Sequence, residues 1–183
     1  WMRALSFAEA REVVLEQVRA AVARYGERVR VWEMINEPQD GDANGLNFTV
    51  EQLLELTALV SRELKRWQPS AYRILNFSDP FGARSYVHER PSVPPTYFAQ
   101  RCLERGIEFE ALGLQCYFGV KRYFSCRDLL GLNELLESFA AFGKDLRISE
   151  VSCPSQHAVD PTCFFAYDHP AAGGWWHGPW SEE

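Results

Sequence analysis

Residues 31–40 read VWEMINEPQD, an apolar run that ends abruptly in Asn36-Glu37-Pro38. A strand over residues 29–35 is the natural reading, with a carboxamide and a carboxylate side by side at its exit. Working upstream, residues 6–25 place apolar side chains at helical spacing, Ser6 and Glu9 form an S-x-x-E box at the start, and Gly26 marks the end. Downstream, Thr49 and Gln52 open a second helix that Pro69 stops, and Tyr72 to Phe77 reads as the next strand. A long Pro-rich loop follows. Thr96 to Arg105 is then helical up to Gly106, Ala111 to Phe118 is a strand, Asp128 to Phe142 is a helix closed by Gly143, and Leu146 to Val151 is a fourth strand.

Helix and strand thus alternate four times, and the strands are mostly apolar, which is the pattern of βαβ units and a parallel sheet. A doubly wound sheet and a stretch of (β/α)8 TIM barrel both fit. The doubly wound nucleotide folds carry a Gly-rich turn after the first strand, and the chain has neither G-x-G-x-x-G nor a P-loop. The barrel is favoured. A whole barrel takes about 250 residues and eight strands. The 183 residues are therefore expected to form one partial domain, 1–183, carrying about four central strands and their helices, with the first strands and the last one missing. Such a piece leaves two open edges, and alone it is expected to be poorly folded, aggregation-prone and inactive.

Composition narrows the function classes. The chain is 46% hydrophobic and 24% charged, as expected for a globular core. Its net charge is -6 with basic residues scattered over the expected helices, so nucleic acid is not an expected partner. No apolar stretch approaches the roughly 20 residues that span a bilayer, so no membrane partner is expected either. Five cysteines are an odd and sparse count that does not read as a disulfide framework. Cys102 falls on the apolar stripe of a helix and reads as a small buried hydrophobe, whereas Cys153 and Cys163 flank a loop and can pair in an oxidising compartment. Cys153, His157, Cys163 and His169 lie near one another but without a C-x2-4-C or H-x3-5-H pair, so no metal site is expected. His88 and His177 stand alone and read as loop histidines.

Working residues of a barrel sit at the C-terminal ends of its strands. Those ends are Asn36-Glu37, Asn76, Gln115-Cys116-Tyr117 and Ser149-Glu150. Cleaving a glycosidic bond needs one carboxylic acid to protonate the leaving oxygen and a second carboxylate to meet the oxocarbenium-like carbon. Glu37 and Glu150 supply such a pair, because strands three positions apart in an eight-stranded barrel face each other. Their separation is expected at about 5–5.5 Å for a retaining mechanism and about 6.5–9.5 Å for an inverting one. The parity of Glu33 sets it on the same side as Glu37 but deeper, where a satisfied structural carboxylate is the better reading. No cofactor is called for.

VWEMINEP resembles the acid/base motif of glycoside hydrolase family 10, the β-1,4-xylanase family. LNFSDP is similar to that family's strand-five Asn motif, RGIEFEALGLQCYFG to its strand-six segment, and LRISEV to its nucleophile motif, in the same order across roughly residues 10–155. The resemblance implies strands four to seven of a retaining barrel, with Glu37 as acid/base and Glu150 as nucleophile. It implies contact of Asn36 with the sugar 2-hydroxyl, Gln115 in the same subsite, and Asn76 within the supporting hydrogen-bond network. Two positions depart from the family pattern. Tyr117 stands where the family carries His, and Asn76-Phe77-Ser78 where it carries Asn-Asp-Tyr, which leaves β-glucan or mannan open beside xylan. A tyrosine hydroxyl can still donate to the Glu150 carboxylate. Trp175, Trp176 and Trp180 in the tail suit either a sugar-stacking platform or ordinary loop packing. The implied partner is a β-linked polysaccharide or oligosaccharide, and a secreted or periplasmic location would suit a polymer-degrading enzyme. A sugar-binding relative without catalysis is the reading from another class.

Overall fold

The computed structural model describes residues 5–82, 92–118 and 128–152. Within them four helices and four strands alternate: α1 (Phe7–Tyr25), β1 (Val31–Asn36), α2 (Val50–Trp67), β2 (Tyr72–Phe77), α3 (Pro95–Glu104), β3 (Ala111–Tyr117), α4 (Leu129–Ala140) and β4 (Asp145–Ser152). The strands form one parallel sheet in the order β1-β2-β3-β4. Each crossover is a helix, as parallel neighbours require.

Local chemistry explains the helix boundaries. Ser6 Oγ accepts the Glu9 backbone N–H while the Glu9 carboxylate accepts the Ser6 N–H, and Thr49 with Gln52 repeats this reciprocal cap on α2. Pro95 opens α3, where a missing N–H costs nothing, and the Asp128 carboxylate caps α4 through the Gly131 N–H at 2.7 Å. Gly106 and Gly143 turn the chain out of α3 and α4 with φ of 65° and 66°, a left-handed conformation that suits glycine.

The core lies between the helices and one face of the sheet. Leu75 and Phe77 of β2 and Leu112 and Leu114 of β3 alternate toward Leu54, Val60 and Leu64 of α2, Phe98 and Cys102 of α3, and Phe139 of α4. Burial of Cys102 pushes its thiol up to about 12, so it packs as a hydrophobe. At the lower end of this face, Arg73 is buried and makes a two-pronged pair with Glu110, at 3.0 Å from Nε and 2.8 Å from Nη2. Burial works to raise the Glu110 carboxyl, but the Arg73 hydrogen bonds and charge, together with Lys65, hold it down at about 2.

Two irregularities set what the opposite, inner face carries. Glu33 pairs with Ile74 and Ile35 with Leu75, so Met34 is an extra residue in β1. Leu114 pairs with Ile148 and Gln115 with Glu150, so Ser149 is an extra residue in β4. Each bulge shifts the side-chain alternation by one position beyond it.

Candidate active site

The first bulge explains how neighbouring residues come to serve one face. Beyond Met34 the alternation is reset, so Glu33 and Asn36, three positions apart, both reach inward to the Asn76 amide. In a regular strand Glu37 would then point outward. Instead it adopts φ of 53°, a left-handed conformation that costs a non-glycine residue about 1–2 kcal/mol. Its backbone N–H still extends the ladder to Asn76 O at 3.0 Å, and its side chain swings back to the same rim as Asn36. Glu33 and Glu37 therefore share a face, as their parity led one to expect, but through a bulge and a turned backbone and not through regular alternation.

The side chains then link across all four strands. Gln115 Nε2 donates to Glu37 Oε1 at 2.7 Å and to Asn36 Oδ1 at 3.2 Å. Asn76 Nδ2 donates to the same Asn36 oxygen at 2.8 Å and to Glu33 Oε2 at 3.4 Å, while its own Oδ1 accepts from Ser149 Oγ at 2.5 Å. Tyr117 donates its hydroxyl to Glu150 Oε2. The Asn36 oxygen is occupied by two donors, and among the described residues its side-chain N–H groups make no bond. Asn76 and Gln115 are buried, and every polar end of theirs that these bonds engage is matched.

Three carboxylates crowd this rim. Although Glu33 as a residue is exposed, its carboxyl lies partly desolvated over the sheet, and that desolvation, followed by the charges of Glu150 and Glu37, raises it. Burial, the hydrogen bond to Glu150, and the charges of Glu150 and Glu37 push the Tyr117 phenol up to about 12. Tyr117 is thus a hydrogen-bond donor throughout the neutral range. Glu33 is less satisfied than its sequence position suggested, since its bond to Asn76 is long.

The loop behind Glu37 is braced from below. Gln39 Nε2 donates to the Ser78 carbonyl at 2.8 Å, Ser78 Oγ donates to Asp40 Oδ2 at 2.8 Å, and Asp40 N–H closes a turn onto Glu37 O at 3.1 Å. These buried groups join the exits of β1 and β2, so the strained Glu37 sits on a rigid support.

Of the residues singled out in the sequence, the structure brings Asn36, Glu37, Asn76, Gln115, Tyr117 and Glu150 to one end of the sheet. Trp175, Trp176 and Trp180, the Cys153 to His169 group, His88 and His177 lie outside the described residues. Among the described residues no group of three or more metal-ligating side chains occurs. Ser149 was read at a strand exit without a role of its own, and Gly113 was not singled out. A small residue on the strand between two polar strand ends was the available signal for Gly113, and the Ser-Glu pair at a strand exit for Ser149.

No family model and no curated protein matches the chain. Solved structures do. A GH10 protein from Paenibacillus barcinonensis matches 80% of this chain and 43% of its own at a TM-score of 0.61 and 18% identity. The GH10 xylanase from Bispora sp. MEY-1, solved with xylobiose, matches 92% of this chain and 50% of its own at 0.61 and 13%. The GH53 catalytic domain from Ignisphaera aggregans matches 86% of this chain and 40% of its own at 0.60 and 17%. The chain spans half or less of the length of each. At these identities the likeness establishes the fold, part of an α/β TIM barrel of the kind glycosidases use, similar to a partial GH10 domain.

Proposed function

We propose that this chain carries the catalytic centre of a retaining β-glycosidase that cleaves β-1,4-xylan-type polysaccharide with Glu37 as acid/base and Glu150 as nucleophile. The observation that supports this best is that carboxylates from opposite edges of the sheet, β1 and β4, each have a fixed donor on β3: Gln115 for Glu37 and Tyr117 for Glu150. Glu37 gives its proton to the glycosidic oxygen as Glu150 bonds to the anomeric carbon and the leaving alcohol departs. Glu37, now a carboxylate, takes a proton from water, whose oxygen displaces Glu150 and restores both groups. Gln115 donates to Oε1 of Glu37, so the acid proton resides on Oε2. Tyr117 occupies Oε2 of Glu150, so Oε1 is the attacking oxygen. Asn36 N–H donates to the sugar 2-hydroxyl, a bond that strengthens as charge develops at the neighbouring carbon.

Proton NMR of the full-length protein acting on a xylo-oligosaccharide tests this, with the β-anomer as first product expected. An α-anomer as first product would exclude the retaining assignment. Tyr117 in place of the family's histidine favours a second reading on substrate, a related barrel glycosidase acting on β-glucan or mannan. Product profiles on the three polymers separate the two.

A further inference from the structure

Ser149 is the extra residue of the β4 bulge and has no partner in the β3–β4 register. Its hydroxyl nevertheless makes a short bond, 2.5 Å, to Asn76 Oδ1, on a strand two positions away. The bond passes over Gly113 of β3, which pairs with Asn76. A Cβ at Gly113 would lie 2.3 Å from Asn76 Oδ1 and 2.9 Å from Ile74 Cγ2, distances side chains do not tolerate. Gly113 is therefore the gap through which β4 reaches β2. Asn76 is fully buried, and its other edge donates to Asn36 Oδ1. Ser149, the residue before Glu150, is thus two hydrogen bonds from Asn36, the residue before Glu37.

A buried amide has two orientations that differ by exchange of its oxygen and nitrogen. Glu33 and Asn36 Oδ1 on one side require a nitrogen, and the Ser149 hydroxyl gives the oxygen on the other side its proton. Without that hydroxyl the Asn76 oxygen would be a buried acceptor with no donor, and the amide could tilt or turn. Asn36 would then lose the closer of the two donors that hold its oxygen, and with it the fixed direction of its N–H groups.

We infer that Ser149, reaching across Gly113, is a positioning residue that ties the strand of the nucleophile to the amide of Asn36 and so sets how the site holds the sugar hydroxyl beside the scissile bond. This rests on the glycosidase reading above. The test uses the full-length protein and aryl β-xylobiosides with and without the 2-hydroxyl on the sugar next to the aryl group. Ser149→Ala is expected to lower kcat/KM about tenfold on the hydroxylated substrate, mainly through kcat, and to leave the deoxy substrate nearly unchanged. Ser149→Thr should restore the loss, and in an Asn36→Ala background Ser149→Ala should have no further effect. Equal losses on both substrates, or additive losses with Asn36→Ala, would overturn the inference. Gly113→Ala should reproduce the pattern without touching Ser149, and wild-type discrimination by that variant would also overturn it. Side-chain amide NMR gives a readout that needs no turnover. The Asn36 NH2 signals, assigned with Asn36→Asp, should shift in Ser149→Ala and return in Ser149→Thr. If the wild-type protein cleaves no glycoside, the glycosidase reading falls and these signals decide the positioning role alone: shifted signals support it, unmoved signals overturn it.

Discussion

The central strands and the edge strands of the sheet divide the work. β2 and β3 are regular, almost wholly buried and apolar on the helix side, with Leu75, Phe77, Leu112 and Leu114 at 0% exposure. β1 and β4 each carry a bulge, expose Val31, Ile148 and Val151, and bear the carboxylates. Stability is concentrated where the geometry is regular, and chemistry where it is not. The amides of Asn76 and Gln115 are the joints, rooted in the stable centre and reaching out to the edges.

Substitutions on either side should break this division in opposite ways. At the edge, Glu37→Gln is expected to lower kcat on an unactivated glycan about 10²- to 10⁴-fold while leaving the melting temperature close to wild type. Steady-state rates on xylan read alongside a thermal melt check both parts. At the centre, Phe77→Ala removes a fully buried ring packed against Phe98 and Phe139 and should cost about 3–5 kcal/mol in denaturant unfolding.

The outer end of the centre answers to pH. Removing the charge in Glu110→Gln leaves buried Arg73 with only the longer pair to exposed Glu108 at 3.6 Å, a loss of about 3 kcal/mol at neutral pH. The sign follows from the depressed carboxyl. Its folded value, about 2, lies below the unfolded one, so the wild type has the full contribution above about pH 4.5 and loses it as pH falls toward 2. Urea midpoints of wild type and Glu110→Gln should therefore converge at the acid end. Thr49→Ala, which removes the α2 cap, should cost about 1 kcal/mol by the same measurement.

The smallest expected effect has the opposite sign. Glu33 is raised by partial desolvation and by the charges of Glu150 and Glu37, so its favourable contribution is complete below the unfolded value and is lost as pH rises through the raised one. At neutral pH Glu33→Gln should then stabilise the fold slightly, by under about 1 kcal/mol, and the gain should vanish in acid. A destabilised Glu33→Gln at neutral pH would show that Glu33 belongs with the structural centre.

Much of the fold was legible because its signals are local. Ser6 with Glu9, Thr49 with Gln52, and the glycines at 106 and 143 mark helix ends through chemistry within a few residues, and the strand over Tyr72–Phe77 has the bounds its apolar run suggested. The strand exits were legible for the same reason, since a polar residue closing an apolar run stands out. Bulges are not local in this sense. That Met34 and Ser149 lack partners depends on β2 and β3, and nothing in VWEMIN or LRISEV announces it. Nor does ALGLQ, residues 111–115, reveal that its Leu-flanked glycine, Gly113, leaves the space in which Asn76 meets Ser149. The Arg73–Glu110 pair escaped notice because two charges 37 residues apart read as surface until the fold buries one of them.

The central claim is that the edge carboxylates act together, with Glu150 as the nucleophile. Peptide mass spectrometry of the full-length protein after treatment with an activated 2-deoxy-2-fluoro xylobioside tests it most directly. The account predicts a glycosyl adduct on Glu150 that is lost in Glu150→Gln. An adduct on Glu33 or Glu37, or turnover of the reagent with inverted product and no adduct, would contradict it.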